Sequence, residues 1–291
     1  MTAIVVHGGA GNVPPERHDR LRSAVRAAAA AGHAILARGG SALDAVVAAV
    51  RVLEDDPELN AGTGSVLTRD GTVETDAAVM TGHDQRIGAV GAVPDLGRAI
   101  ALARAVLDRG EHVLLAGPAA LQFAAEVGIA PAAPGTLITE RSRTRLAEHL
   151  AGHAGGEREG GTVGAVARDH AGRFAAATST GGMVGKRAGR IGDSPIAGAG
   201  TWADRSTAIS ATGDGEAILR VALARSIAMR AHTGLVAAAR TSLAELASIT
   251  GGSAGLIAID QHARLTMRLS QTMPVAWVDV AGAGDSLADD A

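Results

Sequence analysis

The run Gly160-Gly161-Thr162-Val163-Gly164-Ala165-Val166 is followed by Thr178-Ser179-Thr180-Gly181-Gly182-Met183 and then by Gly189-Arg190-Ile191-Gly192-Asp193-Ser194-Pro195. Taken alone, a threonine before valine is an ordinary β-branched strand residue. Its setting gives Thr162 a second reading. An internal hydroxyl has no base of its own, whereas a threonine at a new N-terminus carries an α-amine of pKa about 7.7–8.0, suited to general-base work near neutrality. One residue then supplies nucleophile and base. Gly161 permits the strained backbone that hydroxyl attack on the preceding carbonyl needs, and Thr180, on a neighbouring strand, is placed to hydrogen-bond that hydroxyl or amine. This order of hydroxyls and glycines points to a hydrolase that makes its nucleophile by cutting its own chain.

The rest of the sequence sets the frame. A chain of 291 residues, 47% hydrophobic and 20% charged, can bury a full core. A net charge of -3 supplies no field for nucleic acid or an anionic membrane, so neither is an expected partner. There is no cysteine, hence no thiol nucleophile and no thiolate metal site, and catalysis is left to oxygen and nitrogen groups. The first residues, Met1 to His7, carry no basic leader, and no run reaches the roughly 18 apolar residues of a membrane span. The cytoplasm is the expected address. The only aromatic residues are Phe123, Phe174, Trp202 and Trp277, so the core must be packed from Ala, Val, Leu and Ile.

Residues 3–7 read as a strand that breaks into Gly8-Gly9-Ala10-Gly11. A helix with Pro14 and Pro15 in its first turn is stopped by Gly39-Gly40, and Ser41 with Asp44 starts a second, through Val46, Val50 and Leu53. Asp70-Gly71 between 67–69 and 72–74 predicts a hairpin, residues 87–93 a strand ended by Pro94, and Asp95 the cap of a helix over 96–107. A short strand at 113–115 and a helix over 118–127 follow. From 131 to 161 glycine and charge predict a mobile, solvated connector with a helix-compatible stretch at 140–149, ending where a processing site requires it. Beyond it, strands at 163–167 and 174–178 turn at Asp169-His170-Ala171-Gly172. Then come a strand over 206–212, helices over 216–230 and 235–249, and two or three strands over 255–277 turning at 260–263. Strands bracketed by helices in both halves favour a layered sandwich over alternating βαβ units.

Several motif matches carry no chemistry. Gly198-Ala199-Gly200-Thr201-Trp202-Ala203 has the dinucleotide spacing but leads into a strand, and the loop from Thr180 to Arg187 lacks the first glycine and the hydroxyl of a phosphate loop. His149 and His153 have zinc-helix spacing with Leu150 where the glutamate belongs, which leaves a solvated pair. In Thr212-Gly213-Asp214-Gly215-Glu216 a strand hands over to a helix. This is a place where N–H groups and a hydroxyl meet an oxyanion, or a glycine turn whose acids complement the helix dipole, and both readings can hold together. Arg190 and Asp193 suit the two ends of a free amino acid, guanidinium for carboxylate and carboxylate for ammonium, or else form an ordinary surface salt bridge.

These residues, with Leu53-Glu54-Asp55-Asp56-Pro57-Glu58-Leu59-Asn60-Ala61-Gly62 and Gly255-Leu256-Ile257-Ala258-Ile259-Asp260, resemble the plant-type asparaginase and isoaspartyl aminopeptidase branch of the N-terminal nucleophile hydrolases. The likeness covers nearly the whole chain. It implies one domain of α+β class, a four-layer αββα sandwich, cut between Gly161 and Thr162 into an α part (1–161) and a β part (162–291), and a homodimer of processed αβ units. It assigns Thr162 as nucleophile, Thr180 and Thr212 as its hydroxyl partners, and Thr212 with Gly213 as the oxyanion site. Arg190, Asp193, Gly213, Gly215 and Asn60 contact substrate. A structural sodium ion, not needed for the chemistry, falls on Leu53, Glu54, Leu59, Ala61 and Thr63, mostly through carbonyl oxygens.

The expected activity is hydrolysis of β-aspartyl amides, in L-asparagine or in β-aspartyl dipeptides. A glycosylasparaginase-like hydrolase of the same fold and a catalytically silent amino-acid-binding relative are the alternatives. Three departures from the family pattern leave the substrate open: a stretch from Gly200 to Thr212 one residue short, Thr81 in Val79-Met80-Thr81-Gly82 where Asp is frequent, and the sequence from 268 to 277.

Overall fold

The computed structural model describes residues 1–152, 161–262, 264–269 and 272–287. One sheet runs β12 (Gly282–Ser286), β11 (Val275–Asp279), β1 (Ala3–His7), β5 (Val163–Arg168), β6 (Phe174–Thr180), β2 (Glu74–Thr81), β3 (Ile87–Pro94), β4 (Leu114–Ala116). The second runs β10 (Arg264–Arg268), β9 (Ala254–Ile259), β8 (Ala208–Gly213), β7 (Thr201–Ala203). All neighbours are antiparallel except β3 with β4. Helices α1 (His18–Ala37), α2 (Ala42–Glu54), α3 (Ala99–Arg109) and the short α4 (Ala120–Glu126) pack into the core on the outer face of the first sheet. Helices α6 (Gly215–Val221), α7 (Leu223–Arg230) and α8 (Leu235–Thr250) cover the second. The expected αββα layering is what the chain adopts.

Strand alternation builds the layers. On β5, Val163, Ala165 and Ala167 join the helix-side core while Val166 faces the other sheet. On β6, Ala175 and Ala177 face the helices and Phe174 and Ala176 face inward. With so few aromatic side chains the layers are filled by alanine and aliphatic residues, each fully buried Leu or Ile contributing roughly 1.5–3 kcal/mol. The same parity turns Thr162, Thr178, Thr180, Ser210, Thr212 and His7 toward the space between the sheets, which is polar at this end. Among the described residues no helix is long and apolar enough to cross a membrane.

Three local expectations gave way to tertiary partners, and one strand had no signal in the sequence. Asp70-Gly71 does make a tight turn, closed by Gly71 N–H to the Thr68 carbonyl, but residues 67–69 bond across to Gly185 and Lys186 instead of forming a hairpin arm. The hairpin is β2–β3. Asp95 does not cap α3; it has φ +49°, and the helix begins at Ala99, where the buried Glu54 carboxylate accepts from Ile100 N–H at 2.9 Å. The helix expected over 216–230 breaks at Ala222 (φ 47°, ψ 55°), because Ala224 and Arg225 N–H bond to the carbonyls of Ala199 and Gly198. β12 was not foreseen: its Gly-Ala-Gly-Asp-Ser sequence has no apolar alternation and is a strand only through pairing with β11.

Of the stretch read as a connector, residues 140–150 form α5 (Glu140–Leu150), started by a capping box between Thr139 and Ser142. Leu137 and Leu146 pack there with Leu67 and Val73. Residues 153–160, including His153, lie outside the described residues.

Candidate active site

Thr162 stands immediately before β5, 7% exposed, with its Oγ1 3.4 Å from Ser194 Oγ. The β5–β6 register, Val163 opposite Ser179, sets it beside Thr180. The hydroxyl oxygens expected as its partners are engaged by main-chain donors: Thr180 Oγ1 accepts from Gly182 N–H at 2.9 Å, and Thr212 Oγ1 accepts from Ala10 N–H at 3.1 Å. Each keeps its own hydroxyl proton to donate. Ser194 is the hydroxyl that sequence reasoning missed; its only signal was its place directly after Asp193.

Deeper in the cleft, hydroxyls link the two sheets. His7 Nε2 meets Ser210 Oγ at 2.9 Å, Ser210 meets Thr178 at 2.9 Å, and Thr201 Oγ1 lies 2.6 Å from Thr178 Oγ1 and 2.9 Å from the Ser194 carbonyl. Gly164 makes the approach possible, since a Cβ there would stand 2.0 Å from Ser210 Oγ and 2.5 Å from His7 Nε2. Complete burial pulls the His7 pKa down to about 3 against the opposing influence of the Thr162 main chain. The imidazole is therefore neutral at working pH.

The loop Gly8-Gly9-Ala10-Gly11 acquires a role that the sequence did not give it. Gly8 N–H bonds to the Pro274 carbonyl and Gly11 N–H to the Thr272 carbonyl, while Gly9 lies so close to Gly161 that a Cβ on it would come within 2.5 Å of the Gly161 Cα. The loop thus runs from the Gly161–Thr162 bond to Thr212. Gly213, at φ +132°, takes a conformation closed to side chains, and Asp214 caps α6 by accepting from Ala217 N–H. The cap is present, and it leaves the oxyanion reading of Thr212 and Gly213 in place.

Arg190 and Asp193 do not form the surface salt bridge that was the alternative to a clamp. Arg190 donates from Nε and Nη2 to the two carboxylate oxygens of Glu216, at 2.9 and 2.7 Å. Asp193 is 4% exposed, its Oδ2 has no hydrogen-bond partner, and burial raises its pKa to about 7 despite Arg190 nearby. Both face Gly215: a Cβ there would stand 2.7 Å from Arg190 Nη2 and 2.8 Å from Asp193 Oδ1. Gly215→Ala is accordingly expected to fold, because the atoms met are side-chain ends that can move, and to raise KM on the order of 10- to 100-fold by displacing the clamp. Steady-state kinetics beside a melting curve check this; an unchanged KM would mean that the groups beside Gly215 do not hold substrate.

Two further carboxylates hold this end together: Asp76, which sequence reasoning missed, and Glu54, which it named only for the sodium loop. Asp76 accepts from Ala92 N–H at 2.7 Å and from Gly192 N–H at 3.1 Å, tying the loop of Arg190 and Asp193 to β2. Glu54 accepts from Ser179 Oγ at 2.6 Å, and burial lifts its pKa to about 8. A lone acid inside an apolar strand or at a helix end was the available signal. Asn60 donates to the Gly182 carbonyl at 2.8 Å and accepts from Val66 N–H, anchoring its loop beside Thr180. In that loop the Glu54 carbonyl accepts from Thr63 N–H, and the Glu54 and Leu59 carbonyl oxygens lie against Gly62 and Gly64.

The asparaginase family model matches residues 1–286. This chain belongs to that family. It is 46% identical over 283 residues to the isoaspartyl peptidase/L-asparaginase of Bos taurus, covering 94% of this chain and 92% of that one. It is 47% identical over 269 residues to the Macaca fascicularis protein of the same name, covering 89% and 86%. The isoaspartyl peptidase of Salmonella typhimurium is 41% identical over 294 residues, covering 94% of each. The resemblance carried by seven short motifs thus extends through the strands and helices between them.

Proposed function

We infer that this chain hydrolyses β-aspartyl amide bonds, in L-asparagine and in β-aspartyl dipeptides with a free aspartyl amine, after cutting itself between Gly161 and Thr162. The observation that carries the reading is one juxtaposition: the Thr162 hydroxyl lies 3.4 Å from Ser194, the residue after the buried Asp193, whose Oδ2 has no hydrogen-bond partner. A nucleophile and the end of an amino-acid clamp thus share one cleft.

Once freed, the Thr162 amine takes the proton of Oγ1 as Oγ1 attacks the side-chain carbonyl carbon of the substrate. The oxyanion is met by the Thr212 hydroxyl and Gly213 N–H. The C–N bond breaks as the amine returns the proton to the leaving ammonia or amino acid, and water activated by the same amine hydrolyses the ester. Arg190 holds the substrate α-carboxylate and Asp193 its α-ammonium. Ammonia release from L-asparagine and amino-acid release from a β-aspartyl dipeptide, assayed on purified chain, test the reading; turnover of neither overturns it.

The Leu53–Thr63 loop fits a structural sodium ion in its donor chemistry. The main-chain carbonyls of Leu53, Glu54, Leu59, Ala61 and Thr63 would supply neutral oxygens, the kind a hard cation takes. The ion would fix the loop that carries Asn60 and takes part in no bond-breaking step. The working assembly is a homodimer of processed αβ units, measurable by light scattering.

Two groups shape the pH dependence. In the free enzyme Asp193 loses its proton near 7, and the amine of Thr162 must also be unprotonated. The kcat/KM profile is therefore expected to rise from mildly acidic to neutral pH more steeply than one proton allows. Bound substrate ammonium favours the Asp193 carboxylate, so kcat keeps the single-proton limb of the amine. A single-proton kcat/KM limb that survives unchanged in Asp193→Asn would exclude Asp193 from it. Because His7 cannot hold a proton in this range, a His7→Gln enzyme that still cuts itself is expected to keep the limb in kcat.

A further inference from the structure

The guanidinium of Arg190 offers five N–H donors in a planar fork with two usable edges. Glu216 occupies the Nε/Nη2 edge with two short bonds, 2.9 and 2.7 Å. Nη1 makes no hydrogen bond among the described residues and lies over glycine: a Cβ on Gly192 would stand 2.7 Å from it and one on Gly182 3.4 Å. Nη2 and Asp193 Oδ1 border Gly215 together. The free edge of the arginine therefore faces the same glycine-floored space as the buried carboxylate. Glu216 lies on the solvent side, its side chain 54% exposed against 15% for Arg190.

We propose that Glu216 is a positioning residue for substrate recognition: it locks the plane of Arg190 so that the Nη1/Nη2 edge is presented to the substrate α-carboxylate. The inference rests on the reading of Arg190 as the carboxylate clamp. Arginine has a long, freely rotating stem, and Glu216 is the one side-chain partner that holds its head among the described residues. Without Glu216 the guanidinium would be ordered only when substrate arrives, and that cost would fall on binding. The opposing effect, relief of competition between two carboxylates for one cation, is small because the Glu216 carboxylate lies half open to water. Ordering therefore outweighs it.

The test compares wild type with Glu216→Gln and Glu216→Ala, using L-asparagine as substrate and β-alaninamide, which lacks the α-carboxylate, as a competing ligand. A rise in KM for L-asparagine in wild type on changing Arg190 to Ala establishes the underlying clamp, independently of Glu216. Glu216→Ala is then expected to raise KM about 10-fold, with Glu216→Gln in between because its amide keeps one acceptor. In both variants kcat should stay within about twofold and the Ki of β-alaninamide should be unchanged. Three results overturn the proposal: an unchanged KM, which makes the pair an ordinary surface bridge; a lowered KM, which makes Glu216 a competitor of the substrate; or an equal loss for both ligands, which makes its role structural. Melting curves confirm that the half-exposed position tolerates both changes.

Discussion

Purified Thr162→Ala is expected to remain a single chain of 291 residues and to hydrolyse neither L-asparagine nor a β-aspartyl dipeptide, whereas the native chain separates under denaturing mass spectrometry into residues 1–161 and 162–291. The substitution removes the hydroxyl that attacks the Gly161 carbonyl and the hydroxyl that later attacks substrate, which are the same atom. Loss of a nucleophile of this kind lowers kcat by roughly 10⁴- to 10⁶-fold. The change deletes two atoms at a position 7% exposed beside the small Gly161, so the fold should persist and its melting curve should show this. Cleavage in the Thr162→Ala chain would place the nucleophile elsewhere. Full activity from an uncut native chain would remove the amine as base.

The second large effect belongs to the clamp. Arg190→Ala and Asp193→Asn are each expected to cost on the order of 2–5 kcal/mol in kcat/KM, the range for removing one partner of a desolvated charge pair. Self-cleavage should survive, since it has no substrate ammonium or carboxylate to hold. N-acetylation of a β-aspartyl dipeptide should abolish turnover, and equal rates on acetylated and free peptide would refute the clamp.

Stability gives Asp193→Asn a second signature. The Asp193 pKa rises from 3.8 to about 7 on folding, so the native state keeps a proton that the unfolded state loses. This native carboxyl therefore loses relative stability as pH climbs from about 4 through 7. Asparagine of the same shape carries no such penalty. The variant should match wild type near pH 4 and exceed it at pH 8 by on the order of a few kcal/mol, while its activity falls. Equal melting temperatures at pH 8 would mean that Asp193 is not held as a desolvated carboxyl. A buried acid with one oxygen left without a hydrogen bond, retained at such a cost, fits a group that waits for a cationic ligand.

Legibility in the sequence divides along a physical line. The Ser41 cap of α2, the Asp169-to-Gly172 turn and the strands β5 and β6 depend on neighbours within a few residues, and each was readable. The candidate nucleophile was legible because the chemistry proposed for it needs a local string, glycine then threonine at a strand start. The clamp residues were readable as types, a cation and an anion three apart, but their states were not. Nothing in Gly189-Arg190-Ile191-Gly192-Asp193 shows that Arg190 reaches to Glu216 on another element or that Asp193 is buried with its Oδ2 unbonded.

What the sequence determined by itself was the layered architecture, and with it the proposed place of the cut and the candidate reacting groups, because apolar period, turn chemistry and functional-group identity are properties of short segments. Tertiary structure alone decided who touches whom. Ser194 meets Thr162, Glu54 caps α3 from another helix, and Ala222 breaks a helical pattern because α7 gives its N–H groups to the 198–199 carbonyls. These contacts join residues far apart in the chain, whose approach is set by how four layers pack and by where glycine leaves room for a side chain from elsewhere. The protonation states follow from the same packing, since only burial carries the Asp193 carboxyl up to about 7 and the His7 imidazole down to about 3.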